Sequence, residues 1–128
     1  MDSHKKNILV VEDNVVAAKV IKIFFESLGC LVDHVTDGKD AVNQVLQKKY
    51  DGISMDIGLP TMSGDEACKA IRNYEIKNNL SKVPIIAVTG NNGAEEIKTY
   101  LAAGMQAVID KPFTKEKAER FLSFCSKI

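Results

Sequence analysis

Short apolar runs alternate with amphipathic stretches along the whole chain. Ile8-Leu9-Val10-Val11 is a run of aliphatic residues, the mark of a strand buried on both faces. Asp13-Asn14 then offers helix-starting side chains. From Val15 to Leu28 apolar residues recur at Ala17, Ile21, Phe24 and Leu28, one helical face, and Gly29 ends the helix. Leu31 to Thr36 reads as a second strand, Asp37-Gly38 as a turn, and Ala41, Val42, Val45 and Leu46 as the inner face of the next helix. Asp51 to Met55 predicts a third strand, followed by a Gly58-Leu59-Pro60 loop. Ser63 and Glu66 are spaced as a capping box opening a helix that runs to about Tyr74. Asn78-Asn79 breaks the pattern. Pro84 to Val88 reads as a fourth strand, with Pro84 tolerated at its first position. Asn92 to Ala103 predicts a helix closed by Gly104, Ala107 to Ile109 a fifth strand, and Thr114 to about Cys125 a last helix capped by Thr114.

Strands alternating with helices in this way predict right-handed βαβ units. The expected architecture is α/β: a doubly wound, five-stranded parallel sheet with helices on both faces, flavodoxin-like. The 128 residues suit one domain, 1–128, with a core from about 6 to 127. No linker, repeat or second domain stands out.

Composition removes several classes of function. Seventeen basic residues balance 17 acidic ones, so the basic face of a nucleic-acid binder is not indicated. No apolar run approaches the about 20 residues that span a bilayer, and the first six residues do not resemble a signal peptide. Cys30, Cys68 and Cys125 are odd in number and lack CxxC spacing, which fits inert thiols in a reducing, cytoplasmic setting. His4 and His34 stand alone and are given no role.

In an open parallel sheet, ligands bind at the carboxyl ends of the strands. Glu12 and Asp13 follow the first strand, Asp56 the third, Thr89-Gly90 the fourth, and Lys111-Pro112 the fifth. Three carboxylates and one ammonium leave a charge of −2, which a divalent cation would cancel. Magnesium suits such an oxygen-only set, with manganese as the alternative, and no Cys or His is near to favour zinc. One carboxylate could then attack phosphorus as a nucleophile, with the lysine and a hydroxyl on the transferred oxygens.

Four segments carry a resemblance at this point: Ile8–Asn14 (ILVVEDN), Met55–Gly64 (MDIGLPTMSG), Pro84–Gly90 (PIIAVTG) and Gly104–Phe113 (GMQAVIDKPF). They resemble, in order, the receiver domain of two-component response regulators, and most closely the receivers of hybrid sensor histidine kinases. The resemblance implies that Asp56 accepts the phosphoryl group. It implies that Asp13 ligates Mg2+ directly, that Glu12 acts as its outer partner, and that the backbone carbonyl of Gly58 is a further ligand. Thr89 matches the switch hydroxyl and Lys111 the lysine that pairs with the phosphoryl group. The bond before Pro112 is cis in this family. The implied donor is a histidine kinase or a histidine phosphotransfer protein, docking beside the first helix at Val15 and Ala18. The implied chain is a phosphorelay switch with its own phosphorylation and dephosphorylation chemistry, not a kinase. It would be cytoplasmic, including as part of a membrane-anchored hybrid kinase.

Two positions depart from the family's pattern. Val108 stands where the family often has a Tyr or Phe, and Gly58 leaves the space two residues after Asp56 without a side chain. Two other readings stay in view: a degenerate receiver serving only as an interaction module, and a flavodoxin-like ligand-binding domain. Against the second, the first loop begins with two acids and carries no glycine-rich phosphate motif.

Overall fold

The computed structural model describes residues 5–125. Its elements alternate strictly: β1 (Asn7–Val11), α1 (Val15–Ser27), β2 (Leu31–Val35), α2 (Gly38–Gln47), β3 (Gly52–Asp56), α3 (Gly64–Lys77), β4 (Ile85–Thr89), α4 (Ala94–Ala102), β5 (Ala107–Asp110) and α5 (Lys115–Cys125). The five strands form one sheet in the order β2-β1-β3-β4-β5, and every neighbouring pair is parallel. The order reverses at β1, so a crevice opens between the carboxyl ends of β1 and β3.

The sheet is buried on both faces because successive side chains point to opposite layers. Ile8, Val10, Ile86, Val88 and Ile109 pack with Ile21 and Phe25 of α1 and Ala118 and Phe121 of α5. Leu9, Val11, Ile53, Met55, Ile85 and Ala87 pack with Ala41 of α2, Ala67, Cys68 and Ile71 of α3, and Tyr100 of α4. Phe25 anchors the first layer, its ring 4.9 Å from that of Phe121 and 5.6 Å from that of Phe113. Truncating a phenylalanine so placed costs about 3–5 kcal/mol.

Several expectations shift by a residue or two. The stripe of α1 that enters the core is Ala18, Ile21 and Phe25, while Ala17, Phe24 and Leu28 are half-buried beside it. The helix is therefore turned by about one residue from the face its larger apolar residues suggested. Asn14 caps it, accepting from the Ala17 N–H. Asp56 belongs to β3 as its last residue, and Thr89 closes β4. Pro84 lies just outside β4, its carbonyl accepting from the Ile53 N–H at 2.9 Å. The helix expected from Asn92 begins at Ala94. The Ser63–Glu66 capping box forms, but α3 continues past Tyr74 to Lys77.

That extension has a cause. Glu75, first of a polar stretch running to Lys82, is 4% exposed and turned inward. It accepts from Arg72 Nη1 at 2.8 Å and from the Val83 N–H at 2.8 Å. Arg72 also donates to the Gly104 carbonyl and to Gln106 Oε1, tying α3 to the turn between α4 and β5. His4 and Lys127 lie outside the described residues.

Candidate functional site

The carboxyl edge of the sheet gathers the acids by topology. β1 and β3 are neighbours, with Val11 opposite Met55, so the residues just beyond them share one crevice. Glu12, Asp13 and Asp56 each offer a carboxylate oxygen, all within 4.8 Å of one another. Lys111 reaches in from beyond β5: its Nζ is 3.2 Å from Glu12 Oε1 and 3.2 Å from Asp56 Oδ1. The bond between Lys111 and Pro112 is cis.

Burial divides these groups. Glu12 is 2% exposed and Asp56 7%, whereas Asp13 faces solvent. Both Glu12 oxygens are engaged, one by Lys111 and the other by the Asn14 N–H at 3.1 Å. Burial, seconded by the charge of Asp56, pushes the Glu12 carboxyl above its ordinary range; the Asn14 N–H and Lys111 pull the other way. Burial works against the Lys111 ammonium, but Asp56 and Glu12 outweigh it and hold the group charged above its usual range. On the far side, His34 Nε2 lies 2.8 Å from the Glu12 carbonyl oxygen, a contact the isolated histidine in the sequence gave no sign of.

The loop after β3 is held by two devices. Asp37 Oδ1, at the start of α2, accepts from the backbone N–H groups of Gly38, Thr61 and Met62. Those bonds keep the Asp37 carboxyl below its usual range despite the opposing cost of desolvation. Gly64 comes so close to β3 that a methyl group there would run into the Asp56 carbonyl oxygen. By contrast, a methyl at Gly58 would meet no atom within 4 Å.

Thr89 is 6% exposed, and its Oγ1 accepts from the Asn91 N–H at 3.0 Å. The Asn91 carbonyl in turn accepts from the Tyr100 hydroxyl at 3.1 Å. Sequence reading passed over Tyr100, although it is the aromatic residue of α4 and the one residue of that helix that is buried.

One docking expectation needs correction. Val15 is 55% exposed at the start of α1, beside the acidic crevice, as expected. Ala18 is 2% exposed and belongs to the packed face of the helix, so no partner can touch it. The exposed apolar residues of α1 are instead Val15, Val16, Val20 and Ile23.

What the site can do follows from its charges. Oxygen donors alone make up the acidic cluster, which suits a small hard cation such as Mg2+ and gives nothing to a soft one. A buried carboxylate beside an ammonium, with a hydroxyl at the end of the neighbouring strand, is equipped to carry a group bearing negative oxygens.

Comparison with known proteins agrees with this geometry. Residues 8–122 match the family model described as the response regulator receiver domain. The chain is 40% identical over 119 residues to the transcription factor SKN7 of Candida albicans, covering 93% of this chain and 20% of that protein. It is 33% identical over 117 residues to the sensor protein GacS of Pseudomonas syringae, covering 91% of this chain and 13% of that one. The chain thus spans a fifth or less of these relatives. Among solved structures, it superposes on the receiver domain of the sensor histidine kinase PA1611 of Pseudomonas aeruginosa with a TM-score of 0.86 and 36% identity, covering 97% of this chain and all of that one. That receiver has a magnesium ion coordinated in its active-site cleft. It also superposes, at a TM-score of 0.88 and 28% identity over 94% of this chain and 88% of the other, on the Saccharomyces cerevisiae Ssk1 receiver crystallised with the histidine phosphotransfer protein Ypd1.

Proposed function

The chain belongs to the response regulator receiver family, and on that premise we propose that Asp56 takes a phosphoryl group from a phosphohistidine on a partner protein. The observation that carries this reading is the meeting of Asp56, Glu12 and Lys111 at one sheet edge, with a carboxylate oxygen of Asp13 in the same cluster and Thr89 at the end of the neighbouring strand. Glu12, Asp13, Asp56 and the Gly58 carbonyl are the groups that would hold Mg2+; Mn2+ satisfies the same oxygen donors. Glu12, with both oxygens already engaged, suits the outer position, and solvent-facing Asp13 the direct one. When bound, the cation supplies positive charge that lets the carboxylates stand together and offsets the phosphoryl oxygens.

The chain's own groups do the rest. An Asp56 carboxylate oxygen attacks phosphorus; the new O–P bond forms as the P–N bond breaks, and the leaving imidazole nitrogen keeps the electron pair. Lys111, 3.2 Å from Asp56 Oδ1, neutralises part of the incoming charge. The phosphorylated product carries nearly two negative charges, so a further donor is drawn in, and Thr89, at the end of the strand beside Asp56, supplies the hydroxyl. Water later attacks phosphorus and returns the free carboxylate.

The donor class is a histidine kinase or a histidine phosphotransfer protein. The exposed apolar row Val15, Val16, Val20 and Ile23 starts at the crevice end of α1, two residues after Asp13, and offers the donor a docking surface. No helix among the described residues is long and apolar enough to cross a membrane. A cytoplasmic setting, alone or within an anchored hybrid kinase, fits this role. We read residues 1–128 as one receiver unit.

The test is an intact-mass measurement after incubation with a small phosphoryl donor, with and without Mg2+. A gain of one phosphoryl group that requires Mg2+ and disappears in Asp56→Asn supports the reading. No gain in the wild-type chain overturns it. With a phosphohistidine partner, Val15→Asp is expected to slow transfer while leaving uptake from the small donor intact; unchanged transfer removes Val15 from the docking surface.

A further inference from the structure

Two hydrogen bonds link the candidate switch hydroxyl to a ring inside the next helix. Thr89 Oγ1 accepts from the Asn91 N–H at 3.0 Å, and the Asn91 carbonyl accepts from the Tyr100 hydroxyl at 3.1 Å. Both bonds of residue 91 are made by its main chain. They belong to the two peptide groups that flank its Cα, so a turn about that residue disturbs both.

The helix at the end of this chain is loosely held. Tyr100 is its buried residue, at 5% exposure, and its ring is what fastens α4 to the layer containing Met105 and Ala87. Gly93 caps α4 without a side-chain hydrogen bond, so the near end has no anchor of its own. The far end is fixed: Gly104, just past the helix, gives its carbonyl to Arg72 Nε at 3.0 Å. An element with one buried side chain, one pinned end and one unanchored end is the kind that opens or shifts at low cost. Val108, the β5 residue packed against the same layer, is aliphatic and offers no hydrogen bond there.

We propose that Tyr100 is the residue through which α4 reads the state of Thr89. This inference rests on the receiver reading above and names how that site speaks to the protein surface. When Thr89 Oγ1 turns toward a phosphoryl group on Asp56, it leaves the Asn91 N–H. Residue 91 is then free to turn, and its carbonyl moves away from Tyr100. The phenol, buried and short of an acceptor, must follow the loop or give up its seat. Either response displaces the unanchored end of α4 about the end held by Arg72. The coupling is reciprocal, so the seat of Tyr100 also biases the position of Thr89.

Tyr100→Phe tests this, since it keeps the ring and its burial and removes only the hydroxyl. Amide hydrogen exchange across Ala94–Ala102 is measured before and after phosphorylation with acetyl phosphate and Mg2+, with uptake followed by intact mass. The variant is expected to take up the phosphoryl group as the wild type does. Exchange in α4 is expected to be raised already in its unphosphorylated form, and the change on phosphorylation to shrink by about fivefold or more. Asn91→Ala, which keeps both main-chain bonds, is expected to preserve that change. Thr89→Ala with Tyr100→Phe is expected to lose no more than either alone, because both break one chain. Full uptake by Tyr100→Phe with an unaltered change in α4 overturns the relay and leaves the receiver reading standing. So does a wild-type α4 that does not respond to phosphorylation. A wild-type chain that takes up no phosphoryl group overturns the reading itself, and the relay with it.

Discussion

Lys111 stands as close to Glu12 as to Asp56, at 3.2 Å from an oxygen of each. Its ammonium therefore serves two carboxylates in a crevice where Asp13 adds a third. One positive charge cannot balance three negative ones, and Glu12, almost wholly buried, has no solvent to make up the difference.

Added Mg2+ is accordingly expected to raise the thermal midpoint. A ligand at a hundred times its dissociation constant stabilises the native state by about 2.7 kcal/mol. Asp13→Asn is expected to weaken this response strongly, and chelation to reverse it in the wild type. Differential scanning fluorimetry over a magnesium series measures it; a midpoint indifferent to the ion contradicts a metal role for these acids.

Lys111→Met is expected to cut phosphoryl uptake by about 10²–10³-fold, the usual loss when one donor to a developing charge is removed. Initial rates by intact mass give the figure. Near wild-type rates in the variant would mean that the lysine acts only as a counter-ion to Glu12.

Gly58 and Gly64 flank the same loop but should answer differently to an added methyl. At Gly64 it collides with the Asp56 carbonyl, so Gly64→Ala is expected to destabilise the fold and displace Asp56. Overpacking of this kind costs about 1–3 kcal/mol. At Gly58 it enters open space, so Gly58→Ala is expected to fold normally and to slow loss of the phosphoryl group by partly screening it from water. Thermal midpoints and phosphate lifetimes separate the two; equal lifetimes in Gly58→Ala and wild type dispose of the screening argument.

Asp33 gives a pH signature away from the site. Hydrogen bonds from Lys48 at 2.8 Å and from the Tyr50 hydroxyl at 2.6 Å hold its carboxyl below the usual range. A carboxyl depressed in the native state adds stability above its unfolded pKa of about 3.9 and loses it as pH falls through the native value. The pair is partly exposed, so the gain is only about 0.2–1 kcal/mol. Asp33→Asn is expected to lower the midpoint at pH 7, and the difference to shrink as pH falls below the unfolded value toward the native one. A difference that persists in acid would point to the packing of residue 33 rather than its charge.

The thiols should be quiet. Burial pushes Cys68 up to about 11 and Cys125 up to about 12, and raises Cys30 as well. A disulfide reagent at pH 8 is expected to label the native chain far more slowly than the denatured one, where all three cysteines react. Rapid labelling of any of them in the native state contradicts this.

Much of the fold was legible in the chain itself. Short aliphatic runs such as Ile8–Val11 are apolar at every position because parallel strands are covered on both sides, and that leaves helices nowhere else to pack. Once strands alternate with helices, the residues that follow each strand share one edge, and Glu12, Asp13, Asp56, Thr89 and Lys111 could be placed there without coordinates. Sequence periodicity was less able to orient α1. Apolar residues cover most of that helix, and only packing against β1 and α5 decides that Ala18 turns inward while Val16 and Ile23 face out.

What the chain by itself determined is the order of elements and the chemistry stationed at their ends, because both follow from local periodicity and from the rule that parallel strands point one way. What the tertiary structure alone decided is which groups touch. Lys111 and Asp56 are 55 residues apart in the chain and meet only because β3, β4 and β5 lie side by side. Tyr100 meets the Asn91 carbonyl only because its ring is buried against the sheet, and Gly64 meets Asp56 only because α3 starts hard against β3. Such contacts depend on distances across the fold, and those are fixed by packing in three dimensions rather than by any pattern along one.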